Sequence, residues 1–564
     1  MKRLPCAALS LILLVVVLVA SACQAAPTPT PTRLPATPTS GQPLAVPTPV
    51  PAPATPARAA AAAAPTATAP TPVPPTPTAK GPAPTGKITI VSSTEPDTME
   101  PGVSVVTAEN MILYNVVDRL VERDAKTNQL KPALAESWEQ VKPDTWRFKL
   151  RKGVKFQDGS PFNAETAAWN INRMNNPDHP DMRVQTRFVT LKQAVAVDEN
   201  TLDLVSKEAD PIMPLEAMWM PVESRKFIEE NPELVPTRAV GTGPYKFTEW
   251  VRGQFIRITA DPNYWGPPPA VKDVVFVWRK ETSVRASMLK VGEVDIAWDI
   301  STEDVKQIKS PLKVSTEASN ETCILRIDTT PGLKPKASLR DKRIRQAITF
   351  AMDKKAMVDN ILSGSATIAA QPWPSFAVGY NPDKKPYPYD KEQAKKLVKD
   401  AGYNGEEMIN YTTSRRYPKD LEVGEAIISM LKDVGLNFKL QPLEYSKWLT
   451  MHGGGKPDQE HPDMINVCAS NELGDASQQR RYIETGGRGA FYSNPEVDAL
   501  IKKAVALGGD ERAKTFQKAW DIVYEDYYLL PLFYTSQMHA TNDKINWKPR
   551  VDMFFKLDEV TWAK

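Results

Sequence analysis

Residues 25–86 carry 19 prolines, three basic residues and no acid, with a repeated Pro-Thr pattern and an alanine run at 59–64. Such a stretch has too few large apolar side chains to bury a core, and proline biases its backbone toward extended polyproline II. It reads as a tether whose contour reaches on the order of 190 Å at about 3.1 Å per residue. The folded body must come from residues 87–564, which are 478 of the 564. That is enough chain for one large, multi-lobed body.

Ahead of the tether, Lys2 and Arg3 precede an apolar run of 14 residues at 7–20. Spanning a bilayer as a helix takes about 20, so the run suits a secretory signal better than a permanent anchor. Ala20-Ser21-Ala22-Cys23 resembles a bacterial lipobox, in which the cysteine becomes the lipidated first residue of the mature protein. Ala20 stands where leucine is commonest, which leaves cleavage by the ordinary signal peptidase as the alternative. The expectation is a signal peptide at 1–22, a lipid anchor on Cys23 at the outer face of the cytoplasmic membrane, and a linker at 23–86. With 70 basic and 67 acidic residues and no long basic run, nothing favours nucleic acid as a partner. Export and lipidation would remove Cys6 and occupy Cys23, leaving Cys323 and Cys468 in the folded part, and outside the cytoplasm two such cysteines more often pair than stay free.

Along the folded part, KITIV at 87–91 alternates as a strand and 108–121 has the apolar spacing of an amphipathic helix. Short alternating segments follow around Trp138, at 146–150 and at 154–156, and then a helix over 163–174 with Asn163 as its cap. Residues 195–197 and 201–205 read as a hairpin through Asp198-Glu199-Asn200, and Gly241-Thr242-Gly243-Pro244-Tyr245 opens a strand pair ending near 259. A strand at 274–278, a helix at 282–290 and a strand at 295–298 make a β-α-β unit, hence a parallel crossover. Beyond Cys323 come helices at 340–352, 390–401 and 420–434 with strands at 409–412 and 438–443, then a long helix at 510–524.

The segment LAESWEQVKPDTWRFKLRKGVKFQDGSPFNAETAAWNINRM (134–174) resembles, almost position by position, the signature of family 5 of the extracellular solute-binding proteins. GTGPYKFTEW (241–250), DPNYW (261–265), GEVDIAW (292–298) and LRDKRIRQAITFAMDK (339–354) support the likeness, which covers 87–564. The resemblance implies an α/β, two-lobed periplasmic-binding-protein-like fold with an enlarged lobe I and a cleft between the lobes. Lobe I would hold 87–318, lobe II 319–531, and 532–564 would return to lobe I. It also implies a receptor without enzymatic activity or cofactor, most simply a monomer. Such a receptor would close on a peptide-like solute, with an oligosaccharide or a metal chelate such as a nickel complex as the alternative, and deliver it to an ABC permease and its ATPase subunits. Oligopeptide-binding relatives can carry a disulfide at places matching Cys323 and Cys468.

A peptide's charged ends need opposite charges in a dry site, because an unpaired buried ion is costly. Dipeptide-binding relatives hold the ligand carboxylate with an Arg-x-Tyr motif, and Arg415-Arg416-Tyr417 stands in the matching place, which makes Arg415 and Tyr417 candidates. Those relatives place an aspartate for the ligand amine where this chain has Ser470, and a tryptophan where it has Val467. Asn471, Glu472 and Asp475 follow on the same loop, and Glu472 or Asp475 could substitute. Trp298 and Trp373 are candidates for stacking on sugar or other planar faces.

Hydrolytic chemistry has one foothold, His452-Gly453-Gly454-Gly455, which resembles the oxyanion loop of some esterases, but no Gly-x-Ser-x-Gly elbow accompanies it. The sequence has no His-Glu-x-x-His, no Cys-x-x-Cys and no phosphate-binding Gly-rich loop ending in Lys-Ser/Thr, and His461-Pro462-Asp463 falls short of a metal-ligand set.

Overall fold

The alternation at 87–91 becomes the strand Thr85–Ser92, which buries Ile88, Ile90 and Val91. The structure, a computed structural model, describes residues 81–564 apart from 104–106, 125–126, 128, 180, 331–335, 415, 418 and 454–460. The chain divides into two units, Met1–Pro65 and Thr66–Lys564, and every described residue belongs to the second. The expected signal peptide, Cys23 and residues 23–80 of the linker therefore lie outside the described residues, as does Arg415.

Val271–Trp278 and Ile296–Ala297 flank Thr85–Ser92, both parallel to it, and the helix Thr282–Lys290 joins them. The β-α-β crossover thus straddles the first strand. The helix Thr107–Val116 stops five residues short of the sequence expectation. Its last carbonyl is taken by the Gly-Thr-Gly loop: Gly243 N–H donates to Val116 O at 3.0 Å. A Cβ on Gly241 would lie 2.3 Å from that same oxygen, so the backbone can approach this closely only where glycine stands. The chain then enters the strand Val121–Arg123, paired with Leu130–Pro132. The helix Ala164–Met174 starts with a capping box, in which Asn163 accepts from Thr166 N–H at 2.9 Å and Thr166 Oγ1 accepts from Asn163 N–H at 3.0 Å. The expected strand at 154–156 is reduced to an isolated bridge between Lys155 and Pro161.

One 11-stranded sheet runs through the body. In one half lie Tyr245–Val251, Phe255–Ala260, Val271–Trp278, Thr85–Ser92 and Ile296–Ala297. In the other lie Met464–Ser470, Met408–Thr413 and Phe438–Leu443. Two long antiparallel strands, Lys313–Ile327 and Leu529–Thr541, join the halves, and their register shifts between Ala318 and Thr322 and again between Cys323 and Ile324. Cys323 and Cys468 oppose each other on neighbouring strands and are joined by a disulfide.

The helices Lys342–Phe350, Lys391–Asp400, Asp420–Asp433, Pro495–Val505 and Gly509–Asp526 cover the second half. A separate four-stranded antiparallel sheet, in the order Ala135–Lys142, Thr145–Leu150, Thr201–Ser206, Leu191–Asp198, packs Trp138, Phe148 and Leu202 against Ile171 of the capped helix. Leu473, from the loop after Met464–Ser470, is buried in that same core, so the two halves are docked on each other. The C-terminal residues Trp547, Phe555 and Leu557 share a core with Ile88, Ile112 and Val116 of the first half.

Candidate functional site where the two halves meet

The loop after Met464–Ser470 is built to hold its shape. Asn471 is fully buried and spends its side chain on backbone, with Nδ2 donating to Asp475 O and Oδ1 accepting from Asp475 N–H, both at 3.1 Å. Asp475 caps the following short helix through Ser477 N–H at 2.8 Å. Its carboxylate is also gripped by Arg512 in two parallel bonds of 2.9 and 2.8 Å, both side chains being buried. That bidentate pair fixes the loop to the helix Gly509–Asp526.

On this frame Glu472 reaches the opposite half. Arg187 donates to both its oxygens, at 2.5 and 3.1 Å, while Ser470 Oγ donates to Oε1 at 2.9 Å and Gln478 Nε2 to Oε2 at 2.5 Å. Burial alone would raise the Glu472 carboxyl, but the Arg187 guanidinium together with the Gln478 and Ser470 hydrogen bonds outweighs it and holds the group below its usual range. Arg123, also from the first half, donates to Glu472 O at 3.3 Å and Leu473 O at 2.6 Å. Gly474 has φ +65°, and a Cβ there would approach Arg123 Nη1 to 3.1 Å.

Directly across the strand pair from Ser470 stands Glu321, within the polar run Ser319-Asn320-Glu321-Thr322 that interrupts the long strand. Its carboxylate makes no hydrogen bond among the described residues. Burial pushes its pKa up to about 7; Arg416 pulls the other way, while Glu472 and Asp299 add to the rise. Asp299 sits in the left-handed region at φ 53° just after Ile296–Ala297, and burial raises its carboxyl too. Arg416 stands 5.4 Å from the ring centre of Tyr417 and 5.5 Å from that of Tyr445. The turn carrying Arg416 and Tyr417 is organised by Asp420, whose Oδ2 accepts their N–H groups at 2.9 and 3.2 Å. Tyr417 lies edge-on to Trp448 at 5.9 Å, and burial raises its hydroxyl pKa. It also roofs a small cavity floored by the disulfide, Val467 and Phe533.

Of the candidates read from sequence, Tyr417, Ser470 and Glu472 gather around Glu321. Asn471 and Asp475 do not, since both are consumed in shaping the loop. The two tryptophans are also placed elsewhere. Trp298, 5% exposed, packs among His539, Trp547 and Phe555. Trp373, fully buried, packs against Trp520. Each fills a core and leaves no face on which a planar ligand could stack. His452 ends the helix Tyr445–His452 stacked on Trp448, with Nδ1 2.7 Å from Arg326; burial first, then Arg326, pushes its pKa far down. Sequence reasoning missed Glu321, Asp299, Arg416, Arg187 and Arg123. The one signal for Glu321 was four polar residues in a row just before Cys323.

The sequence matches the description of bacterial extracellular solute-binding proteins, family 5, over residues 129–481. It is 28% identical over 470 residues to heme-binding protein A of Haemophilus influenzae, covering 76% of this chain and 83% of that protein. It is 26% identical over 425 residues to the glutathione-binding protein GsiB of Escherichia coli strain K12, covering 72% and 81%. Among solved structures, HbpA2 from Haemophilus parasuis superposes with a TM-score of 0.77 at 22% identity, covering 85% of this chain and 100% of that one. The periplasmic binding protein DppA from Helicobacter pylori, in complex with peptide STSA, gives 0.68 at 24% identity, covering 85% and 98%. These likenesses fit the α/β body with its joined sheet halves, and the family match spans well over half of the sequence: the chain belongs to family 5 of the bacterial extracellular solute-binding proteins.

Proposed function

We propose that the chain captures a peptide-like solute bearing both an amine and a carboxylate, and hands it to the permease of an ABC importer. The carrying observation is the unbonded acid Glu321 in the company of a second acid, Asp299, and of the cation Arg416. An amine on the solute would satisfy Glu321, whereas a ligand with acids alone would leave it uncompensated. A glutathione-binding relative and a peptide-bound structural neighbour support this reading. The burial of Trp298 and Trp373 takes both tryptophans named from the sequence out of any stacking role.

On this reading the halves are lobes that meet where the long strands lose register, between Ala318 and Thr322 and again between Cys323 and Ile324. Closure on the solute then shifts the population toward the docked arrangement, with Glu472 and Arg187 as one contact across it. Cys23 is the proposed lipid anchor, and the proline-rich segment the tether that lets the receptor reach its permease.

The test is native mass spectrometry of the gently purified chain, followed by calorimetric titration of whatever is retained and of glutathione. A retained peptide-like mass whose affinity drops at least tenfold in Glu321→Gln supports the reading. A retained ligand with no amine, bound equally well by the variant, overturns it.

A further inference from the structure

Beneath the docked loop, the first half contains a partly enclosed cavity lined by Tyr114, Arg119, Glu122, Arg123, Arg550 and Lys556, among others. Four cations and one carboxylate therefore face it. Two of the cations are already paired: Arg550 with Asp552 and Glu559, and Lys556 with Glu122. The other two are not. Arg119 is 7% exposed and Arg123 2% exposed, and neither forms an ion pair among the described residues. Arg119 donates Nη1 to Val117 O at 3.0 Å and lies 3.8 Å from the ring centre of Tyr114; Arg123 spends its Nη groups on the two loop carbonyls. The Nε of each is buried without an acceptor, and the hydroxyl of Tyr114, 4% exposed, has no partner. The nearby Asp118 is turned to Thr242 and Trp265, at 3.0 and 2.9 Å.

Two buried guanidinium Nε–H groups and a phenol hydroxyl without acceptors, around a space open at one side, are costly unless an anion or ordered water satisfies them. The space holds a group about the size of a water or a carboxylate head. Bidentate recognition by arginine suits a carboxylate. We propose that this cavity is a carboxylate subsite, in which Arg119, Arg123 and the Tyr114 hydroxyl hold a carboxylate group of the captured solute. The inference rests on the reading of the chain as a peptide-like receptor and deepens it: the acid end goes under the loop that Arg123 and Arg187 clamp.

The experiment has two arms, both on the full chain stripped of solute. In the first, thermal unfolding is followed against sodium formate, with sodium methanesulfonate, a tetrahedral anion, at equal ionic strength. Formate should raise the midpoint saturably in the wild type and lose that effect in Arg119→Met and in Arg123→Gln. In the second, an equimolar tripeptide pool and its C-terminally amidated counterpart are compared by native mass spectrometry. Amidation should weaken capture at least tenfold in the wild type and far less in Arg119→Met. Should Arg119→Met fail to fold, Arg119→Lys, which keeps the charge but not the fork, must weaken both effects. No saturable formate effect, or one that survives both arginine variants, overturns the subsite. An arginine-dependent formate effect with indifference to amidation makes it a free-anion site and also overturns it. If neither pool binds, the peptide-receptor reading fails, and the formate arm alone still decides whether the cavity takes a carboxylate.

Discussion

Glu321 and Glu223 are both acids whose protons are held by burial, and the two predict opposite kinds of pH dependence. For Glu321, at about 7, a bound ammonium favours the ionised form, so affinity for an amine-bearing solute should rise between pH 6 and pH 8. Calorimetry across that range should show the slope in the wild type and a flat, weaker response in Glu321→Gln. Glu223 is fully interior, its carboxylate accepts from Val240 N–H at 3.2 Å, and burial pushes it to about 8. Because its folded pKa lies above the unfolded one, its neutral form is the stabilised form: its contribution is complete at low pH and is lost as pH rises toward and through 8. At about 1.4 kcal/mol per pKa unit, Glu223→Gln should be more stable than the wild type by a few kcal/mol at pH 8 and by little at pH 5. Denaturant unfolding at the two pH values checks this.

Among the elements, the loop after Met464–Ser470 depends on a charge pair made within the second half. Asp475→Asn would leave Arg512 buried without its partner, and breaking a pair of this kind costs about 3–5 kcal/mol; a fall in the unfolding midpoint together with loss of solute binding is the expected outcome. The disulfide acts on the same strand. Removing it as Cys323→Ala with Cys468→Ala should cost up to about 5 kcal/mol by chain entropy, since it closes a sequence separation of 145, and guanidinium titration under non-reducing conditions measures it. Alternation and capping made the strands around Thr85–Ser92 and the helix Ala164–Met174 legible in the sequence, because those signals are local. The end of the helix Thr107–Val116 was not, because it is set by a glycine loop more than 120 residues away. The same distinction governs the site. Glu472 and Tyr417 could be found by position along the chain, but Asp475 looks as available in sequence as Glu472, and only Arg512 shows it is taken. Arg187 and Asp299 carry no local mark at all; they matter because folding brings them to Glu321 and Glu472.

At the scale of the whole molecule, the two halves are held together by Leu473, by Arg187 with Glu472 and by Arg123 on the loop carbonyls. Arg187→Met should loosen that docking: small-angle scattering of the solute-free variant is expected to give a larger radius of gyration than the wild type, with the difference shrinking when solute is added. The last stretch of chain has a further consequence. Trp547, Phe555 and Leu557 complete the core around Ile88, Ile112 and Val116, and Asn115 takes Leu557 N–H on its Oδ1 at 2.7 Å. The half that opens with Thr85–Ser92 is thus closed by residues far downstream, Asn115 and Leu557 lying 442 positions apart. A ribosome releasing this chain presents an apolar cavity that stays unfilled until residues 547–557 emerge, so the early part must wait, held extended or chaperoned, for that distant plug.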